Sequence, residues 1–254
     1  MAVALSYKSE GAAGPFVVIL HGLLGSSANG RSIARKLGQT HRGYSLDLRN
    51  HGASPHVDTM SYPAMADDVR AFLDDHDIDA ATVIGHSMGG KTAMCLALDA
   101  PARVRRLVVV DIAPTVSRHD HGPTLAAMAS LDLQRVARRA DAETMLEASI
   151  PDAAMRMFVL QNLASSGAGF AWRINLAGIA DSMPALLDFP VDPAAQPYPG
   201  PARFLRGADS DYVRPADETP IRVLFPRAEI VTIEGAGHWV HAEQPARFLE
   251  ALGE

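Results

Sequence analysis

Two residues of this chain sit in surroundings that suggest chemistry: Ser87 in Gly85-His86-Ser87-Met88-Gly89 and His238 in Gly235-Ala236-Gly237-His238-Trp239. A G-x-S-x-G run suits a tight strand-to-helix turn, because glycines beside the serine leave room that side chains would fill. Such a turn holds the hydroxyl above a sheet, where it can attack a carbonyl. A bare five-residue match is also common by chance, as an ordinary glycine-flanked helix start. Three coincidences favour the chemical reading.

The first is position. Ala81 to Ile84 reads as a short strand before the motif, and Gly90 to Leu98 as an apolar helix after it. The second is His21-Gly22-Leu23-Leu24-Gly25 after an earlier strand, a loop that can aim a backbone N–H at the reacting oxygen. The N–H groups of Leu23 and Met88 are the expected oxyanion-hole pair. Each such donor is worth about 3 kcal/mol of transition-state stabilisation. His21 itself is expected to brace its loop. The third is the place of His238 after the last strand, since the order of this triad is serine, acid, histidine. His86 is expected to point away from the serine, His241 to lie at the surface or in a structural bond, and Trp239 to pack.

The acid has two candidate places. In the common arrangement it follows the strand before the histidine strand, where this chain reads Gly207-Ala208-Asp209-Ser210-Asp211, with a serine at the usual acid position and Asp209 or Asp211 nearby. The other place is Asp111, which ends Val108-Val109-Val110, although an aspartate there could equally cap Ile112-Ala113-Pro114.

With these groups, Ser87 would attack an ester carbonyl while His238 takes its proton, and water would deacylate the enzyme. Neither metal-ligand spacing nor a dinucleotide-type glycine loop is present, so no metal or organic cofactor is expected. Rival readings are carbon–carbon hydrolysis or haloperoxidase-like chemistry on the same scaffold, and a catalytically silent ligand-binding protein. Dehalogenation is disfavoured, because it needs a carboxylate where Ser87 stands.

The elements that must position these residues are legible as short apolar runs alternating with stretches of helical period. That is the pattern of a mainly parallel central sheet with helices on both faces, an α/β fold. Val3, Leu5 and Tyr7 alternate as an edge strand, Phe16 to Leu20 and Gly43 to Leu48 read as strands, and Met65, Val69, Phe72 and Leu73 mark one helix face. Leu107 to Val110, Arg203 to Leu205 and Ile230 to Ile233 read as further strands, and Pro245 to Leu252 as a closing helix. Between Pro114 and Pro190 only helical stretches are expected, which suggests an insertion over one end of the sheet. The 254 residues therefore read as one domain, with a core of 1–113 and 200–254 and a helical cap of about 114–199.

Charge is spread along the chain at a net −6, so no basic stripe offers itself to nucleic acid. The single cysteine, Cys95, lies in an apolar run and is expected to be buried and inert. No stretch reaches the roughly 18 apolar residues of a membrane span, and no signal segment opens the chain, so a cytoplasmic protein without stable membrane insertion is expected.

The motifs together resemble the esterases of the YbfF type and the α/β hydrolase domain-containing protein 11 group. The resemblance runs through His21-Gly22-Leu23-Leu24-Gly25-Ser26, Asp47-Leu48-Arg49-Asn50-His51-Gly52 with Ser54 and His56, and Met60-Ser61-Tyr62. It continues through Gly85 to Lys91, Asp111-Ile112-Ala113-Pro114, and Gly235 to Glu243. It implies an α/β-hydrolase fold with a helical cap, and an esterase or thioesterase using Ser87 and His238 on a small acyl-ester or acyl-thioester substrate. Family members resemble Gly-Gly-Asn-Ser, with no acid, where this chain has Gly207-Ala208-Asp209-Ser210, so the resemblance favours Asp111 as the acid with Ser210 as a further partner of His238; this chain departs from that pattern by carrying Asp209 and Asp211, and Asp211 stays the alternative acid. Phe158 and Trp172 lie in a stretch that resembles the family's cap, which implies a lid over an acyl pocket. Leu24, Phe158, Trp172 and Trp239 are its expected lining.

Overall fold

The structure, a computed structural model, describes residues 1–167, 169–190 and 196–253. The Pro-rich stretch from Pro190 to Pro201 therefore lies partly outside the described residues, at 191–195.

The first part of the chain runs β1 (Tyr7–Glu10), β2 (Phe16–Leu20), α1 (Ser27–Leu37), β3 (Arg42–Leu46), α2 (Tyr62–Asp75), β4 (Ala81–His86), α3 (Met88–Asp99) and β5 (Val104–Val110). Next come α4 (Gly122–Ala129), α5 (Arg139–Leu146), α6 (Ala153–Leu160), the strands β6 (Leu163–Ser166) and β7 (Gly169–Trp172), and α7 (Leu176–Leu187). The remaining elements are β8 (Ala202–Gly207), α8 (Glu218–Leu224), β9 (Ala228–Ile233), α9 (Val240–Glu243) and α10 (Pro245–Leu252).

Seven strands form one sheet in the order β1-β3-β2-β4-β5-β8-β9, parallel throughout except for the antiparallel edge pair β1–β3. The central strands are apolar nearly without a break because both faces are covered. Along β2, Val18 and Leu20 join the larger core with α2 and α3, whereas Val17 and Ile19 join a second core with Ile33 of α1 and Phe248 of α10. Alternate residues of a strand point to opposite faces, so one run of five serves two layers. Each fully buried side chain of this size contributes roughly 1.5–3 kcal/mol relative to exposure. From β2 the chain first moves outward to β3, then crosses back to β4 and continues the other way through β5, β8 and β9. The turns after β2, β4, β5 and β9 thus converge at the carboxyl edge of the sheet, beside a topological switch, where ligands of open α/β sheets bind.

Two expectations are corrected. The first strand begins at Tyr7, not Val3, because the preceding backbone is taken up elsewhere: Val3 N–H donates to Asp68 and Ser6 N–H to Ser54. The segment between β5 and β8 is not helical throughout, since β6 and β7 pair as an antiparallel hairpin. The short helix α8 had no counterpart in the sequence reading.

Buried polar contacts tie the β5–β8 segment to the sheet domain. Lys91 Nζ donates to the carbonyls of Leu187 and Asp188 at the end of α7, at 3.1 and 2.9 Å. A cation is favoured there, where α7 leaves its carbonyls unpaired. Tyr62 Oη donates to Leu186 O at 2.6 Å, and Asn162 Nδ2 to Leu24 O at 2.8 Å. Within the Asp47–Gly52 motif, Arg49 forms a buried two-point ion pair with Asp68, so much of that motif is scaffolding.

Candidate active site

Ser87 occupies the turn between β4 and α3 with φ 52° and ψ −117°, a backbone region that a residue with a Cβ seldom adopts. Strain of this kind costs of order 1–3 kcal/mol and persists only where the surroundings enforce it. The two flanking glycines explain how. A Cβ on Gly85 would lie 2.2 Å from the carbonyl oxygen of Gly89, and one on Gly89 would lie 2.5 Å from that of Leu20. Ser87 N–H donates to Val110 O at 3.0 Å, which anchors the turn to the neighbouring strand.

Asp111 follows β5 at the next place along the sheet, fully buried and with φ 52°. Its Oδ1 accepts the N–H of Gly207 at 3.0 Å. Its Oδ2 accepts His238 Nδ1–H at 2.8 Å and also the hydroxyl of Ser210. A buried carboxylate is tolerable only when its lone pairs are occupied in this way. With Nδ1 donating to a carboxylate, the imidazole carries its proton there and leaves Nε2 as the acceptor. Among the described residues His238 Nε2 has no hydrogen-bond partner, and His238 lines the same cavity of about 140 Å³ as Ser87. Asp211 lies elsewhere: its side chain is 78% exposed and pairs with His119 at 3.1 Å. Asp209 is exposed as well. Ser210, expected as a partner of His238, instead donates to Asp111, because the carboxylate lies between hydroxyl and ring.

The loop after β2 is pinned around Leu23. His21 Nδ1 donates to Gly22 O at 2.7 Å and its Nε2 accepts Leu48 N–H at 3.0 Å, so His21 braces the turn. His51 Nε2 accepts Leu24 N–H at 3.2 Å, and Gly25 N–H returns to Gly22 O at 3.0 Å. The N–H groups of Leu24 and Gly25 are therefore satisfied, while Leu23 N–H has no acceptor among the described residues. Met88 N–H opens α3, where the first helical N–H groups have no partner within the helix. Both residues line a small cavity beside Ser87.

Aromatic rings surround His238. Tyr212 stacks on its imidazole at 3.6 Å and 16°, and His119 stacks on the far face of Tyr212 at 3.6 Å and 9°. Sequence reading missed both rings, since nothing in their local pattern marks them. His86 does not point away from the serine. It lines the Ser87 cavity, lies 4.7 Å from the His238 ring, and donates from Nε2 to His238 O at 2.9 Å. The reason is Gly22, whose missing side chain leaves the space: a Cβ there would come within 2.9 Å of His86 Nδ1. His241 packs edge-on to His86 at 4.9 Å and is half-buried.

Burial, reinforced by His238, pushes His241 down to about 4, and burial, reinforced by His21, pushes His51 down to about 3. In an unfolded chain both would titrate near 6.5. Below that pH the unfolded state binds more protons than the folded one, so stability must fall as pH falls from 6.5 towards 4. We expect the thermal midpoint to drop steadily between pH 7 and 5, and the His241→Gln variant to drop less steeply. Midpoints independent of pH in both proteins would contradict neutral histidines at these two places.

Of the expected pocket residues, Leu24, Phe158 and Trp239 line the Ser87 cavity, with the rings of Phe158 and Trp239 5.6 Å apart. Trp172 does not; it lines a separate groove of about 690 Å³ between α4 and α7, its indole N–H donating to Met128 O at 3.1 Å. Among the described residues no group of three or more His, Cys, Asp or Glu is placed to hold a metal ion, and no helix is long and apolar enough to cross a membrane.

Comparison with known proteins supplies relatives for this geometry. The α/β-hydrolase fold family matches residues 15–245. The sn-1-specific diacylglycerol lipase ABHD11 of Xenopus tropicalis is 45% identical over 98% of this chain and 81% of that protein. Esterase YbfF of Escherichia coli (strain K12) is 37% identical over 93% of this chain and 91% of that one. Among solved structures, a marine microorganism esterase superposes with a TM-score of 0.94 at 38% identity, covering 99% of this chain and 98% of the other.

Proposed function

The chain belongs to the α/β-hydrolase fold family and hydrolyses carboxylic esters, and from that premise we propose that it works through an acyl-enzyme on Ser87, with His238 as base and Asp111 as the acid that orients it. The observation that carries the proposal is the bond that His238 Nδ1–H donates to Asp111, which leaves Nε2 as the acceptor on a ring that lines the same cavity as Ser87.

In the first half-reaction Ser87 Oγ bonds to the ester carbon and its proton passes to His238 Nε2. The carbonyl oxygen becomes an oxyanion facing the Leu23 and Met88 N–H groups, which are fixed in place before reaction and need no reorganisation. Collapse breaks the bond to the leaving oxygen, which takes the proton from His238. Water repeats the cycle in reverse roles: it bonds to the acyl carbon, gives its proton to His238, and the acid departs as Ser87 recovers a proton. Asp111 and the Tyr212 ring act on the imidazole, the first by fixing its tautomer and the second by holding its plane and covering one face of the cation. About 114–199 form the cap in this reading, with α7 tied to the sheet domain by Lys91 and Tyr62, and Asn162 tied to Leu24.

The substrates are small acyl esters, and thioesters would follow the same path with a sulfur leaving group. The test is turnover of p-nitrophenyl esters and acyl thioesters of increasing chain length by the purified protein. Hydrolysis of the esters is expected, with a defined chain-length optimum. A protein that binds these compounds and turns over none of them would contradict the proposal.

A further inference from the structure

We infer that the substrate straddles Ser87, with the alcohol part in the cavity walled by Phe158 and Trp239, and the acyl chain on the opposite side, directed towards the α4–α7 groove. This assignment rests on the esterase reading above and adds to it which wall selects which half of the ester.

Two cavities meet at Ser87 and share Leu23, His121 and Tyr212. The first, of about 140 Å³, is bordered by His238, Trp239, Phe158 and Met155. The second, of about 30 Å³, is bordered by Met88, Lys91, Ile112, Met183 and Leu187, and His238 is not among its walls. The asymmetry matters because the tetrahedral carbon has three directions to satisfy besides Ser87. Its oxyanion must face Leu23 and Met88 N–H. Its leaving oxygen must come within hydrogen-bond reach of the imidazole that protonates it. His238 lies on the first cavity, so the alcohol takes that side, and the acyl substituent is left with the second.

The second cavity, of about 30 Å³, has room for only a short acyl group, since a single water already needs about 10–15 Å³. Its outer wall is Met183 and Leu187, and those two residues also line the groove of about 690 Å³ between α4 and α7. That groove continues along Leu176, Ala180 and Pro184 of α7 and Leu125 of α4, an apolar run suited to an alkyl chain. The methionine is the flexible part of the wall. Met183 and the groove floor thus set acyl length, while Phe158 reads the alcohol. Trp172, on the groove, belongs to the acyl side.

The test uses two series on the same enzyme: p-nitrophenyl esters from acetate to dodecanoate, and acetate esters of alcohols from methyl to hexyl. Met183→Ala is expected to raise the octanoate-to-acetate ratio of kcat/KM by roughly tenfold or more, within the range that apolar contacts allow. Ala180→Trp, on the exposed side of α7, is expected to lower the dodecanoate-to-acetate ratio, and it keeps the test open should Met183→Ala fold poorly. Phe158→Ala is expected to leave the acyl ratios alone and to shift the hexyl-to-methyl ratio. If Phe158→Ala moved the acyl ratios while Met183→Ala and Ala180→Trp did not, the two sides would be reversed and the assignment wrong. A wild-type protein inactive on both series would instead overturn the esterase reading, and the assignment with it.

Discussion

Replacing Ser87 with alanine is expected to remove roughly six orders of magnitude from kcat while leaving the fold in place. The variant loses only the attacking oxygen. The turn it sits in is shaped by Gly85 and Gly89, whose carbonyl contacts do not involve the hydroxyl, and alanine meets the same constraint at φ 52° that serine already accepts. What survives is the binding and oxyanion stabilisation supplied by Leu23 and Met88, so some rate above the uncatalysed one should remain. His238→Ala should cost about as much, and the double variant little more than either, because nucleophile and base act as one unit. The measurement is kcat on a p-nitrophenyl ester, with the thermal midpoint taken beside it. Near wild-type turnover by either single variant at an unchanged midpoint would sink the proposed mechanism.

Asp111→Asn is expected to lower kcat by on the order of 10⁴. All three donors around the carboxylate, namely Gly207 N–H, His238 Nδ1–H and the Ser210 hydroxyl, need an oxygen. An asparagine offers one oxygen and one NH₂. Turned to satisfy Gly207, it presents NH₂ to His238 and drives the ring to the tautomer protonated on Nε2, which cannot accept the serine proton. Turned the other way, it sets two buried donors against each other at Gly207, at a cost of roughly 1–3 kcal/mol. The thermal midpoint should therefore fall as well, and kcat must be read at a temperature where the variant is folded. Asp211→Asn removes only an exposed contact with His119, of a kind worth about 0–1 kcal/mol, and should leave kcat nearly unchanged. A folded Asp211→Asn that is dead beside an active Asp111→Asn would return the acid to the commoner place.

Much of this arrangement is legible in the sequence, for reasons that differ by residue. The strand-turn-helix around Ser87 is readable because its glycines are required by backbone contacts a few residues away, and local requirements leave local marks. Asp111 was readable as a residue ending an apolar strand. Choosing it over Asp211 took the family resemblance, because both follow strands and only tertiary structure says which meets the imidazole. Tyr212 and His119 left no mark at all: their stack on His238 joins three segments far apart in the chain. His86 was misjudged because the space it turns into is made by the absence of a side chain on Gly22, in another loop. The hairpin β6–β7 was missed since Leu163 to Ser166 and Gly169 to Trp172 lack the β-branched alternation that marks strands. Phe158 and Trp172 looked equivalent in sequence, yet they line different cavities.

Every step of the mechanism requires Ser87 to be the residue that becomes acylated. Incubation with a fluorophosphonate ester, followed by mass spectrometry of the intact protein and of its proteolytic peptides, reads this directly. One adduct per chain is expected, carried by the peptide containing Gly85-His86-Ser87-Met88-Gly89, and none on Ser87→Ala. An unlabelled wild-type protein, or a Ser87→Ala variant labelled as fully as wild type, would contradict it.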